Sequence, residues 1–411
     1  MSPGLENVQA AAESRTAAGA RTRKLFLAIV FLYWFSSYIY VPVLSPYVEH
    51  LGSSYTMIGM VLGVYGLMQI VLRMPLGIGS DVLNRRRPFI LLGLVASGVS
   101  CLMFAFGASP SWALAARAVS GIAASAWVVY TVMYAGYFPK EEAGKAMGMM
   151  QFVTVLAQLT SMLISGSLVD AWGWPAPFLL GAVIAGIACV LTVRLPEQRQ
   201  EERGGALSFR DLAPVMREPM LLKVSMLSVL AHCVLFVTMF GYTPNQALKI
   251  GADTESLGWL TLSFMAPHAL ATLYASRFFS RRLGERGALV LGFAGSALFT
   301  LLIPYADSLG ALCATQIGNG FMQGIIFPLL LAKSVAEVEP GKRATAMGFY
   351  QAAYAVGMSL GPVIAGRISS EYGLSGAFRL AAGAAAAAAV LAWFWLQRRR
   401  DRRPETNGRM G

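Results

Sequence analysis

Residues 146–166 read AMGMMQFVTVLAQLTSMLISG, and residues 346–366 read AMGFYQAAYAVGMSLGPVIAG. Each run has the length and apolar character that a helix needs to cross a hydrocarbon layer about 30 Å thick. Ala146, Met147, Gly148, Gln151 and Gly166 each have an identical partner 200 positions later. Gly173 and Phe178 likewise match Gly373 and Phe378. Matches between small residues come cheaply in apolar helices. A glutamine and a phenylalanine in register do not. The chain therefore reads as two related halves, about 1–200 and 215–411, the organisation of membrane folds built around a site between repeats.

Ten further apolar stretches flank these two. The twelve fall near 25–46, 55–77, 88–107, 111–136, 146–168, 176–194, 221–244, 257–278, 287–305, 309–333, 345–366 and 376–396. The expected fold is an all-α membrane protein, with twelve transmembrane helices in two pseudo-symmetric six-helix bundles. The bundles cover 25–194 and 221–396. The stretch 195–220 is a charged, Gly/Pro-punctuated linker, with a short amphipathic segment expected at Leu207–Met216. Residues 1–24 read as a disordered tail and 397–411 as a basic one. The apolar run from Leu25 is too long for a signal-peptide core and has no convincing cleavage site after it, so it reads as the first span.

Composition agrees. The 411 residues are 56% hydrophobic and 13% charged, with a mean hydropathy of +0.57. That leaves too little polar surface for a water-soluble protein and far too much apolar content for a disordered one. The four cysteines, Cys101, Cys189, Cys233 and Cys313, sit singly in apolar stretches. Their spacing suits neither a metal site nor a disulfide framework.

The net charge of +12 is a matter of location. Even-numbered junctions carry Arg85, Arg86 and Arg87; Lys140 and Lys145; Arg194, Arg199, Arg203, Arg210 and Arg217; Arg277, Arg281, Arg282 and Arg286; and Lys333, Lys342 and Arg343. Odd-numbered junctions offer only Lys249, Arg367 and Arg379. Short basic loops stay in the cytoplasm. Both termini are therefore expected in the cytoplasm and the chain in the plasma membrane. The lipid bilayer accounts for the basic excess, and no nucleic-acid partner is needed.

After the second span comes GIGSDVLNRRRP, from Gly77 to Pro88. It resembles the loop signature of the major facilitator superfamily, G-x-x-x-D-x-x-G-[RK]-[RK]. Asn84 replaces the usual glycine, and asparagine tolerates a left-handed turn. The resemblance implies a conformational latch formed by Gly77, Asp81, Arg85 and Arg86. Arg73, one turn earlier, is expected to snorkel to the same face. In the second half, SRFFSRRLGERG from Ser276 keeps Gly284 but places Ser280 near the aspartate position. Arg117 and Gly121 in the fourth span resemble a second superfamily signature, R-x-x-x-G. An arginine within a span normally faces the protein interior. Gly357, Gly361 and Pro362 in the eleventh span resemble the glycine–proline signature of drug/proton antiporters and are expected to pack helices closely. The fifth span has Ala157, Ser161 and Met162 where that signature is diagnostic.

No span holds an aspartate or glutamate well inside it; Glu49, Asp81, Asp170 and Glu371 lie at ends. The titratable groups at depth are His232 and His268, candidates for a proton relay. Other polar positions are candidate cavity walls: Tyr33, Ser37, Tyr38 and Tyr40; Tyr130 and Tyr134; Gln151 and Gln158; Asn245 and Gln246; Asn319 and Gln323; Tyr350, Gln351 and Tyr354. An aromatic, amide-rich cavity without acids suits neutral or anionic organic molecules better than cations, and Arg117 would partner an anion.

Other functional classes fare poorly. There is no G-x-S-x-G elbow, H-E-x-x-H pair or carboxylate cluster for a membrane enzyme. The strings AGKA at Ala143 and PGKR at Pro340 lack the spacing of an ATP-binding loop. Duplicated halves and cavity-type polar residues argue against a receptor or scaffold. The resemblance implies a secondary transporter, working as a monomer by alternating access on a small-molecule substrate. Efflux coupled to the proton gradient is the expected mode, with no prosthetic group or metal. The alternative is a proton symporter or uniporter importing a small nutrient.

Overall fold

The computed structural model describes residues 3–138, 142–197, 217–274, 278–339 and 343–396, with the backbone alone over 3–18, 143–145 and 344–345. Twelve helical spans follow one another among the described residues. In the first half they are α1 (Gly19–His50), α2 (Tyr55–Val82), α3 (Arg87–Phe106), α4 (Pro110–Ala135), α5 (Ala143–Trp172) and α6 (Pro175–Val193). In the second half they are α7 (Pro219–Lys249), α8 (Leu257–Tyr274), α9 (Ser280–Tyr305), α10 (Leu309–Ala336), α11 (Arg343–Tyr372) and α12 (Leu374–Trp395). Ten are long and apolar enough to cross a membrane. The other two, α8 and α11, carry more polar, small and proline residues and pack between the rest. The fold is the expected all-α, two-bundle one.

The backbone of the helix containing α1 begins at Pro3. The stretch is rich in alanine, glutamate and arginine, all good helix formers, and it continues an established helix without a new nucleation cost. The expected amphipathic segment at Leu207–Met216, the basic tail over 397–411, and Lys140, Arg199, Arg203, Arg210, Arg277 and Lys342 lie outside the described residues. The side chain of Lys145 does too.

The repeat extends into the turns. Gly173 and Gly373 both take a left-handed backbone (φ 81° and 74°) immediately after α5 and α11. Asn84 (φ 48°) and Gly284 (φ 68°) take it after α2 and near the start of α9. Only glycine and, at some cost, asparagine adopt this conformation readily. Serine caps α4 and α10 in the same way, Ser109 accepting from the Trp112 amide and Ser308 from the Ala311 amide. Ahead of α8, the Ser256 amide and hydroxyl both donate to Asp253 Oδ1, which holds that carboxyl below its usual range.

Two spans are broken at matching places. The helix of α1 is interrupted at Ile39–Tyr40, just before Pro42, and α7 passes through a π-turn at Thr238–Tyr242, just before Pro244. Proline cannot donate to the carbonyl four residues back. Tyr40-Val41-Pro42 and Tyr242-Thr243-Pro244 thus form a second repeat, with tyrosines that both turn inward and are fully buried.

The first bundle is cored by aromatic packing. Tyr33 stacks on Tyr130 (4.7 Å between centroids), Phe26 stacks on Tyr134 (5.2 Å), and the Tyr33 hydroxyl donates to the Ala123 carbonyl. Leu221, Leu289, Phe293, Ile326 and Tyr350 form part of the second core. Large apolar side chains such as Phe106, Val183, Val190, Leu273 and Phe394 stay exposed. Helices apolar on their outer faces as well as their inner ones are built for a lipid surround.

Candidate functional site

The two bundles meet along α2 and α11, and the seal is made by glycines. A Cβ added at Gly59 would lie 2.3 Å from the Pro362 carbonyl, at Gly63 2.4 Å from the Ser359 carbonyl, and at Gly66 2.7 Å from the Ser359 amide. Spacings of four and three put all three on one face of α2. Gly357 and Gly361 do the same for α11 against α7, meeting Val229 and Cys233. Pro362 supplies a carbonyl to this seam, and Gly121 lets α4 lie against Tyr65 and Met68 of α2.

Polar contacts lock the end of the molecule away from the basic loops. Asn245 Nδ2 and the Tyr55 hydroxyl both donate to the Glu49 carboxylate. The Thr56 amide donates to Ser370 Oγ at 2.9 Å. The Tyr242 hydroxyl lies 3.2 Å from both the Tyr55 and Pro362 carbonyls. Gly166 abuts Thr254, and Gly258 abuts Leu163. Asn245, expected on a cavity wall, belongs to this lock.

At the other end the halves part. A cavity of about 310 Å³ lies between them, within the size range of small-molecule sites. Its walls include Tyr38, Tyr65, Gln69, Arg73, Gln151, Gln158, His232, His268 and Tyr354, with Trp34, Trp127, Phe236, Phe240, Phe264 and Phe327 supplying aromatic surface. Gln151 is exposed, and a Cβ at Gly148 or Gly348 would meet nothing within 4 Å. A second crevice of about 280 Å³, reaching from Arg73 past Gly77 and Asp81 to Gly348 and Gln351, continues toward the basic loops. The space between the halves is thus closed at one end and open at the basic end.

Arg73 does not snorkel. It is 8% exposed and reaches across to α11, donating to Gln351 Oε1 (3.3 Å) and the Tyr354 hydroxyl (3.2 Å) as well as to Gln69 Oε1 (2.7 Å). The correction has a simple cause: the Tyr65, Gln69, Arg73 face of α2 lies against the opposite bundle, so the side chain finds amide and phenol partners before it finds water. Arg117 is 3% exposed. It donates to the Tyr40 hydroxyl and Ser120 Oγ (3.3 Å each) and lies 4.1 Å from the Tyr65 ring centroid, a cation–π contact. It lines a small pocket that shares Tyr38, Tyr65, Phe236 and Phe240 with the cavity wall.

The histidines divide. His232 stacks flat on Tyr354 (4.1 Å, 5°), and its Nδ1 bonds the Ser228 carbonyl at 2.9 Å. His268 stacks on Phe264 (5.8 Å), and its Nδ1 is buried without a partner among the described residues. Both rings face the cavity, and Phe327 stands beside each.

Besides Asn245, the candidate wall residues Tyr33, Ser37, Tyr40, Tyr130, Tyr134, Gln246, Asn319, Gln323, Tyr350 and Gln351 do not line this cavity. Tyr130 is packed within the first bundle against Tyr33 and Trp127. Asn319 accepts from Ser296 Oγ inside the second bundle, and Gln323 is fully buried there. They share a helix face, as their spacing required, but that face packs against α8 and α9. Gln351 lines the second crevice, where it accepts from Arg73.

The expected latch is an internal clasp of the first bundle. Asp81 pairs with Arg86, which also donates to Ser80 Oγ. Glu197, beyond α6, accepts from the Arg86 and Arg87 amides at the start of α3 (2.6 and 3.2 Å), where a negative charge is favoured. Arg85 is exposed. Glu197 was not foreseen, because nothing local to it marks a partner more than 100 residues away. Tyr65, Gln69 and Arg73 did carry a signal: three polar residues at intervals of four in an otherwise apolar span.

Comparison with known proteins decides the family. The model of the Major Facilitator Superfamily matches residues 26–252 and again 224–411. The chain belongs to the major facilitator superfamily. A member of this family is a multi-pass membrane transporter of small solutes, not an enzyme. Among its relatives is a probable sugar efflux transporter of Mannheimia succiniciproducens, 22% identical, with 89% of this chain and 91% of the relative covered. Another is a chloramphenicol efflux pump of Mycobacterium tuberculosis, 25% identical, with 82% and 83% covered. The crystal structure of the nucleoside transporter NupG superposes with a TM-score of 0.75 at 16% identity, covering 91% of this chain and 98% of that one.

Proposed function

We propose that this superfamily member exports a small organic solute across the plasma membrane by alternating access. The observation that carries the reading is the space between the halves, sealed by the glycine seam and the Glu49–Asn245 lock and open at the basic end. Basic loops face the cytoplasm, which makes this the inward-open state, ready to load from inside, with both termini cytoplasmic. The efflux direction is supported by the relatives named for efflux. The transporter works as a monomer without prosthetic group or metal, energised by the electrochemical gradient that proton pumping maintains. Nucleic acid has no part in it.

Everted and right-side-out vesicles test the direction. A stabilising solute is first found by thermal unfolding of the purified protein over a chemically diverse panel. Its accumulation should appear in energised everted vesicles and be absent from vesicles of a strain lacking the protein. Accumulation in energised right-side-out vesicles instead would establish import of a nutrient.

A further inference from the structure

We propose, resting on the export reading above, that the solute is a small organic anion and that the membrane potential, rather than the pH difference, drives it out. The argument begins with charge. The buried charged side chains among the described residues are Arg73, Arg86 and Arg117. Arg86 is neutralised by Asp81. Arg73 and Arg117 have no carboxylate within ion-pair distance among the described residues. Every hydrogen bond they make goes to an amide or hydroxyl oxygen: Gln69, Gln351 and Tyr354 for the first, Tyr40 and Ser120 for the second. The Nε of each is buried with no hydrogen-bond partner among the described residues.

A buried guanidinium without a counter-charge is expensive in a low-dielectric surround. It is tolerated when the missing charge arrives with a ligand. Arginine presents a planar fork suited to carboxylate, sulfonate or phosphate oxygens. The aromatic walls beside Arg73 suit the carbon skeleton of such a ligand.

The two arginines stand at different depths. Arg117 lies over Tyr65, which is eight residues before Arg73 on α2, or about 12 Å of helix rise. Arg73 faces the open cavity, and Arg117 lines the small pocket that shares Tyr38, Tyr65, Phe236 and Phe240 with its wall, toward the sealed end. They are successive stations: Arg73 receives the anion from the cytoplasm, and Arg117 holds it when the halves rock the other way.

This arrangement accounts for the missing carboxylate. The titratable and charged groups facing the cavity are Arg73, His232, His268, Tyr38, Tyr65 and Tyr354, with no acid among them; the acid of the adjoining crevice, Asp81, is paired with Arg86. Exchange for protons needs a group that carries them. An anion leaving an inside-negative cell needs none, because the electrical field acts on its own charge.

Matched pairs test the charge requirement: 4-aminohippurate, indole-3-acetate, benzoate and benzenesulfonate, each against its neutral amide. Thermal stabilisation of the purified protein should be at least tenfold more sensitive to one or more of the anions than to its amide. Arg73→Gln and Arg117→Gln should each weaken that anion at least tenfold, and Arg73→Lys and Arg117→Lys, which retain the charge, should recover part of the loss. No stabilisation by any anion, or equal stabilisation by the amides, overturns the proposal.

The effective anion is then followed into proteoliposomes clamped by valinomycin. A tenfold inward potassium gradient (about 59 mV for a single charge) should produce tenfold accumulation at equal pH, and a pH difference at zero potential should produce none. The opposite pattern refutes potential-driven movement. Transport confined to the neutral amides would refute the anion proposal and leave the export reading standing. Accumulation of the anion only in right-side-out cell vesicles would overturn both the export reading and potential-driven movement.

Discussion

Replacing Gly63 by alanine should push the protein out of the state described above. The new methyl would lie 2.4 Å from the Ser359 carbonyl oxygen and 2.6 Å from Val363 Cγ2, where ordinary contact begins near 3.4 Å. The obstacle includes backbone, so α2 and α11 must separate by about 1 Å. Overpacking of a tight interface costs about 1–3 kcal/mol. The cost falls only on the conformation in which this seam is closed. It therefore acts as a coupling energy between the mutation and the inward-open state, worth about 5–150-fold in population. Spin labels on Asp170→Cys and Glu255→Cys, both exposed at the sealed end of facing bundles, report the separation by electron–electron resonance once the four native cysteines are replaced. The distance distribution should gain a long component in the Gly63→Ala background. Gly148→Ala is the control: a Cβ there meets nothing within 4 Å, and exchanging glycine for alanine within a helix is worth about 0.5–1 kcal/mol in stability. An unchanged distribution with Gly63→Ala, in a protein as stable as its parent, would refute the claim that the glycine seam holds the sealed end shut.

Other changes probe the clasp, the turn and the histidines. Asp81→Asn leaves Arg86 buried without its charge partner, and because Asp81 is itself 40% exposed the loss should be about 1–3 kcal/mol, read as a lower thermal midpoint in detergent. Asn84→Gly should be neutral or mildly stabilising at φ 48°, whereas Asn84→Val should cost about 1–2 kcal/mol; equal midpoints for the two variants would contradict the left-handed turn. The paired His232→Ala and His268→Ala variant should keep its response to an imposed potential, and loss of that response with binding intact would make the histidines part of the coupling route.

Much of this was legible in the chain. The Gln151/Gln351 register announced the two halves, and GIGSDVLNRRRP announced the clasp, down to the left-handed asparagine at 84. Those features depend on local backbone preference and on patterns repeated along the sequence. Tyr38, Gln151, Gln158, His232, His268 and Tyr354 were also found on the cavity wall, since polar residues in apolar spans seek a shared interior. Asn319 and Gln323 obeyed the same rule but chose a different interior, the seam between helices of one bundle. Spacing reveals which residues share a face and is silent on which neighbour that face meets.

The sequence by itself determined the number of spans, their pairing into halves and the distribution of charge between the loops, because length, hydropathy and repetition are properties of the chain. Only the tertiary structure decided that the halves close at one end, that Glu197 clasps a loop more than a hundred residues away, and that Arg73 turns inward to join Arg117 as a second buried, unneutralised charge. Those facts rest on contacts between distant segments, and a side chain's partner is set by whichever surface the folded neighbours bring within its reach.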